Sequence, residues 1–289
     1  MKLLFRPSVA FAAFLFLAAM PAFSADQNSA DQLVRTVVDN EIRAEKQDNT
    51  RWMYLSDETD RGKRQLKEVV ETKQGSLSLL LQQDDSPLTE QSLKQQEERL
   101  RQMAQDPKQM QKAKQASASD EEKAQRLMKM LPDAFLYQED GQEANGFTRL
   151  SFQPNPKFNP PTREAKVFHS MAGTVVVDPK SQRLASISGH LIRDVNFGWA
   201  FFGGTLKKGG TFDVKRTEVA PGTWRDALTD VHISGHALFF HTISEQQHEV
   251  SSHFQRVDDN ISPVQAADLL IRHVGETGGN KTAALHRAH

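Results

Sequence analysis

His232, His236, His241, His248 and His253 fall within one short stretch, and imidazole is the side chain best suited to bind a transition metal or move a proton near neutral pH. Spacing decides whether these could act together. On one extended strand His232 and His236 share a face but stand about 13 Å apart, because each residue rises about 3.3 Å. His241 points to the opposite face. One strand cannot bring them to one ion, and a site would need a cross-strand partner such as His253. The expectation is ordinary sheet histidines, with no metal and no cofactor. The carboxylates Glu68, Glu71, Asp226 and Asp230 show no spacing suited to acid–base work, and are read as solvated. Ser188-Gly189 and Ser234-Gly235 lack the residues that flank a nucleophile elbow. Gly203-Gly204 and Gly209-Gly210 read as turns. No catalytic residue is expected, and a hydrolase or metal-dependent enzyme would require His232, His236 or His253 to converge with carboxylates in space.

A binding role has better support. Phe197, Trp199, Phe201 and Phe202 lie within six residues, ringed by glycine. They serve either as a core plug or as the lip of an apolar cavity, with Leu238, Phe239 and Phe240 as the facing wall under both readings. A sheet curved around an apolar interior is a common way to hold small apolar ligands.

The elements that would position these residues follow from periodicity. Ser29 and Gln32 form a capping-box pattern ahead of Leu33, Val34, Val37, Val38 and Ile42, which predicts an amphipathic helix. Alternation over 52–57, 66–72 and 76–82 predicts three antiparallel strands, with Arg61-Gly62-Lys63 as a turn. Residues 89–131 are rich in Gln, Lys and Glu and predict a charged helical insertion. It is capped at Thr89, broken at Asp106-Pro107, capped again at Ser119 and stopped by Pro132. Phe135 and Tyr137 lie on one face of a strand, and 147–152 is the next. Four prolines between 154 and 161 stiffen a crossover, and a short helix follows over 162–171. Strands over 174–177, 184–195, 212–219, 224–243 and 250–257 make a second meander. A last helix begins at Ser262-Pro263 and ends at Gly275. The tail 276–289 is read as disordered.

The first residues read as an export signal. Lys2 and Arg6 precede an apolar run over 9–20, then Pro21 and the small residues Ala22 and Ser24. The run is too short to span a bilayer, which takes about 20 residues. Cleavage near Ser24/Ala25 would leave a periplasmic or secreted protein. The formal charge of −1 falls by the charges of Lys2 and Arg6 to about −3. There is no basic excess for nucleic acid. With no cysteine there can be neither a disulfide nor a lipid anchor on an N-terminal cysteine.

The order of elements resembles the outer-membrane lipoprotein-sorting superfamily of periplasmic carriers and receptors. It resembles more closely an uncharacterised family of bacterial secreted proteins. The matching segments are Leu131-Pro132-Asp133-Ala134-Phe135, Phe158-Asn159-Pro160-Pro161-Thr162-Arg163-Glu164-Ala165-Lys166 and Gly173-Thr174-Val175-Val176-Val177-Asp178, with Phe197-Gly198 ahead of Gly209-Gly210. The likeness spans residues 30–260. It implies an α+β fold: a large curved antiparallel sheet, a half-open β-barrel, covered by helices. It also implies an apolar interior that receives a lipid or a lipoprotein acyl chain, without catalysis. The charged insertion departs from the carriers. The expectation is therefore one half-barrel domain over 25–275 that acts as a soluble carrier. The alternative is an envelope-assembly module with a filled core that docks a partner through 89–126.

Overall fold

A computed structural model describes residues 23–60, 62–197, 204–236 and 246–277. The first helix, α1 (Phe23–Gln47), buries Val34, Val37, Val38 and Ile42 along one side. It starts upstream of Ser29, so Ser29 lies inside the helix and does not cap it. Strands β1 (Arg51–Asp60), β2 (Lys63–Thr72) and β3 (Gly75–Gln83) form the first meander, and the short β4 (Ser86–Pro87) ends it at the edge. A proline there blunts further pairing.

Thr89 caps α2 (Glu90–Gln105), its hydroxyl accepting the Ser92 N–H at 3.2 Å. Asp106 leaves the helix with extended backbone and caps α3 (Pro107–Ala134) through the N–H groups of Lys108 and Gln109. Ser119 does not begin a second helix, because α3 runs through it unbroken. A capping pattern marks a start only where the preceding residue departs from helical backbone, and Ala, Lys and Gln on both sides favour continuing it. Pro132 sits inside the last turn and does not stop the helix.

The second meander comprises β5 (Phe135–Gln142), β6 (Thr148–Pro154), a 3-10 helix (Glu164–Ser170), β7 (Met171–Asp178) and β8 (Arg183–Leu191). It continues as β9 (Val195–Phe197), β10 (Gly204–Leu206), β11 (Thr211–Ala220), β12 (Thr223–His232), β13 (Gly235–His236) and β14 (Gln246–Val257). The final helix is α4 (Pro263–Thr277), which passes through Gly275.

Two expected long strands are each broken. The run 184–195 stops at Leu191, and the run from 224 stops at His232. At Gly235, φ is +131° and an added Cβ would lie 1.9 Å from the Thr205 carbonyl oxygen. Only glycine permits that turn and approach. The pieces beyond the breaks form a separate three-stranded sheet, β13-β10-β9.

The main sheet has eleven antiparallel strands in the order β4-β3-β2-β1-β14-β12-β11-β8-β7-β6-β5. β14 lies between β1 and β12 and joins the two meanders. The fold is therefore α+β with an open sheet. Its inner face, under α1, is packed with Phe135, Tyr137, Leu150, Phe152, Val175 and Val177. The opposite face of β1–β3 packs against α2 and α4 through Met53, Val70, Leu77, Leu79, Leu100 and Leu270. α3 joins both cores. Met110 belongs to the α4 side, and Leu127, Met128 and Leu131 belong to the α1 side. Gly75 of β3 lies against Ala113 of α3. From there to the start of β5 the helix runs roughly 32 Å. Along the sheet, β3 and β5 are nine strands apart, about 43 Å if flat. The sheet is therefore not flat between β3 and β5. Between these contacts, residues 111–124 are all exposed.

Glu41 fastens α1 to the sheet. It is 6% exposed. It accepts from Arg183 Nε and Nη2 and from the Leu184 N–H, each at 2.8 Å, and pairs with Arg216. Burial alone would raise its pKa. The Arg183 hydrogen bonds, the Arg216 charge and the Leu184 N–H outweigh burial and hold it below the ordinary value.

Candidate functional site

α1 does not cover the whole inner face. Asp48 ends its run by accepting the Thr50 N–H at 2.8 Å, and the chain turns into β1. Among the described residues no helix covers the inner faces of β1, β14 and β12 there. They form a recess of about 230 Å³ lined by Tyr54, Glu71, Arg225, Asp226, Leu228, Thr229, Glu249, Ser251 and Phe254. Tyr54 and Phe254 stack with ring centroids 5.2 Å apart and 27° between planes. A bulge sets this pair. The β1–β14 register shifts between Met53 and Leu55, and His253 has φ +57°. The extra residue puts Phe254 beside Tyr54.

The charges around the rings are unevenly paired. Arg225 Nη1 lies 2.7 Å from Asp48, its guanidinium lies 6.0 Å from the Trp52 ring, and Glu71 is 3.8 Å from Nη2. Asp226 accepts from Arg216 Nε at 3.1 Å. Glu249 accepts from the Ser56 hydroxyl at 2.9 Å and has no ion pair among the described residues. Burial raises the Glu71 pKa, countered in part by Arg225 and by the Trp52 N–H at 3.2 Å. Burial, then the charges of Glu71 and Glu249, hold the Tyr54 phenol protonated far above its ordinary range. The recess thus offers aromatic rings, a phenol, hydroxyls, carboxylate acceptors and the Arg225 guanidinium.

The histidines end up elsewhere. His232 pairs with Thr211 in the main sheet and His236 with Thr205 in the small one, so they do not share a strand as expected. Gly235 separates them. On the outer face Asp230 Oδ1 holds His232 Nε2 at 3.1 Å and His248 Nδ1 at 3.0 Å, with both rings about half exposed. No group of three metal-binding side chains is present among the described residues. His253 occupies the bulge, and His241 lies outside the described residues.

The solvated reading of the carboxylates holds for Asp226, which is exposed, and is corrected most plainly for Glu68. Glu68 is 2% exposed and meets His273 of α4 at 2.8 Å. Asp226 and Asp230 are paired, and Glu71 faces the recess. Their partners come from other strands or from α4, so local spacing could not show them.

Trp199, Phe201, Phe202, Leu238, Phe239 and Phe240 lie outside the described residues, as does the side chain of Phe197. The backbone places their flanks together, since Phe197 pairs with Gly204 and Thr205 with His236. Both aromatic stretches therefore leave one small sheet, whose Val195 and Leu206 pack with Leu191 of β8.

Sequence reasoning missed Tyr54, Phe254, Glu71 and Glu249 as neighbours. The alternation of Trp52, Tyr54 and Ser56 put Tyr54 on a defined face. Nothing local announced β14 as its partner or the bulge at His253. Among the described residues no helix is long and apolar enough to cross a membrane. Comparison with family models, curated proteins and solved structures found no match to this chain.

Proposed function

We propose that this chain is an exported, non-catalytic binding protein. It carries a lipid, acyl chain or other apolar ligand on the inner side of its open sheet, as the lipoprotein-sorting proteins it resembles do. The observation that carries this reading is the recess at the end of α1, where the inner face bears stacked Tyr54 and Phe254 and, among the described residues, has no helical cover. Ligand sites favour such concave surfaces with an aromatic wall and a few polar groups. The leader-like residues 1–24 support a periplasmic or secreted location.

The test is native mass spectrometry and organic extraction of the full chain purified from an exporting host. A co-purifying lipid or fatty acid, reduced in Tyr54→Ala, supports the reading. A protein that is folded but ligand-free, and that takes up no fatty acid from solution, removes it.

One observation favours the second reading, an envelope-assembly module. The span 111–124 of α3 is exposed on every side, as in a helix that bridges solvent or meets a partner. Charge reversal at Lys112, Lys114 and Lys123 that abolishes a specific envelope-protein complex, with folding intact, would support it.

A further inference from the structure

We infer that the recess beside Tyr54 receives a primary ammonium group, either of a free amine or as the head of an amphiphile. This rests on reading the inner face as the ligand side. The recess lining carries three carboxylates, Glu71, Asp226 and Glu249, against one guanidinium, that of Arg225. Arg225 is held by Asp48 and Asp226 by Arg216. These outside partners are opposite in sign and cancel, and Glu71 itself lies 3.8 Å from Arg225 Nη2, so the carboxylate of the lining with no ion pair among the described residues is Glu249.

The placement of Glu71 and Glu249 suits one guest. Glu71 lies beside Trp52, to whose N–H it bonds, and Glu249 is tied to Ser56. Trp52 and Ser56 are the neighbours of Tyr54 along the inner face of β1, so the two carboxylates flank the Tyr54 ring from opposite sides. A cation there meets carboxylates and an aromatic face together, and both attract it. The phenol of Tyr54 stays protonated because burial and these same carboxylates oppose its ionisation. It therefore adds a neutral hydroxyl. The Ser251 and Thr229 hydroxyls complete a set of acceptors for N–H groups. A quaternary ammonium has no N–H to give them. A carboxylate or phosphate guest would meet Glu71 and Glu249 as like charges. The volume of about 230 Å³ admits an ammonium group with a few carbons, so a longer chain must extend along the inner face.

The experiment compares octylamine, octanol, octanoate and butylamine below their micellar concentrations at pH 7. Binding to the full chain is followed by calorimetry, with Glu249→Gln and Glu71→Gln as variants whose folding is checked by thermal melting. The expected result is octylamine binding at least about tenfold tighter than octanol, the size of one charge-assisted hydrogen bond. Octanoate should bind weakest, and Glu249→Gln should bring amine and alcohol within about twofold. Salt should narrow the preference in the wild type. Octylamine and octanol binding alike would overturn the ammonium inference and leave the carrier reading standing. A preference unchanged in both variants would place the amine elsewhere and overturn the inference as well. Butylamine binding as tightly as octylamine would keep the inference, identify free amines as the source, and remove the carrier reading. If no probe binds, both fall.

Discussion

The two halves of the inner face are built from the same pleated strands and have opposite surfaces. Beneath α1 the floor is Leu150, Phe152, Val175 and Val177. Beyond the end of α1 it is Tyr54, Glu71, Thr229, Glu249 and Ser251. The helix makes the difference. A strand face that will be covered must be apolar, because burying an unpaired polar group costs more than it returns. A face left open can keep its carboxylates partly hydrated, and Glu71 and Glu249 are both part-exposed. Where a carboxylate does enter the covered half it is fully engaged: Glu41 has two guanidiniums and a backbone N–H, whereas Glu249 has one hydroxyl. Among the described residues the apolar half of the inner face is therefore packed under α1. Where the described surface is open, it is polar with an aromatic pair.

The sharpest way to break this contrast is Glu41→Ala. It leaves Arg183 and Arg216 without their shared carboxylate under α1 and should cost about 3–5 kcal/mol, read as a fall in urea midpoint. The same carboxylate sets a pH dependence. Its folded pKa is depressed from the ordinary 4.5, so its contribution is complete above that value and is lost as pH falls through the folded one. Wild type should lose stability on acidification below about pH 4.5, and Glu41→Ala should lose less over the same range.

Leu150→Ala tests the covered floor by deleting a fully buried side chain, at about 2–5 kcal/mol. Gly173→Ala tests the close pairing of β7 and β8. A Cβ there would lie 2.0 Å from the Ser188 carbonyl oxygen, so the strands must part, at a cost of about 1–3 kcal/mol.

The open half should respond in the other direction. Burial raises the folded pKa of Glu71, so ionisation there opposes folding once pH exceeds the unfolded value. Glu71→Gln should gain up to about 1 kcal/mol at pH 7, and the gain should vanish near pH 4, where the wild type is protonated. A loss of stability at pH 7 would mean that Arg225 needs this carboxylate more than burial penalises it. Glu249→Gln is the smallest case, within about 0.5 kcal/mol at neutral pH. A larger loss would show that the open floor is as tightly built as the covered one.

Local structure was legible to different depths along the chain. The cap at Thr89 and the break at Asp106-Pro107 were plain, because each is made by residues within three positions of one another. Ser119 carried the same signature and meant nothing, since a cap requires the chain to enter the helix there. Strand breaks at Leu191 and His232 were invisible because β-rich composition continues past both. Gly235 was legible as a glycine, but the Thr205 carbonyl that demands it comes from another strand. Of the candidate site, only the face on which Tyr54 sits could be read.

Alternation and helical period by themselves settled that this chain forms antiparallel strands with apolar-faced helices, because those periods are properties of the backbone and report which side of each element is buried. They could not settle where α1 stops along the sheet, that β14 inserts between β1 and β12, or that a bulge at His253 turns Phe254 toward Tyr54. Those outcomes depend on contacts between residues nearly two hundred positions apart, such as Ser56 with Glu249. Such contacts exist only after the sheet has closed its central seam, and it is that seam which decides which carboxylates are buried and which remain available to a ligand.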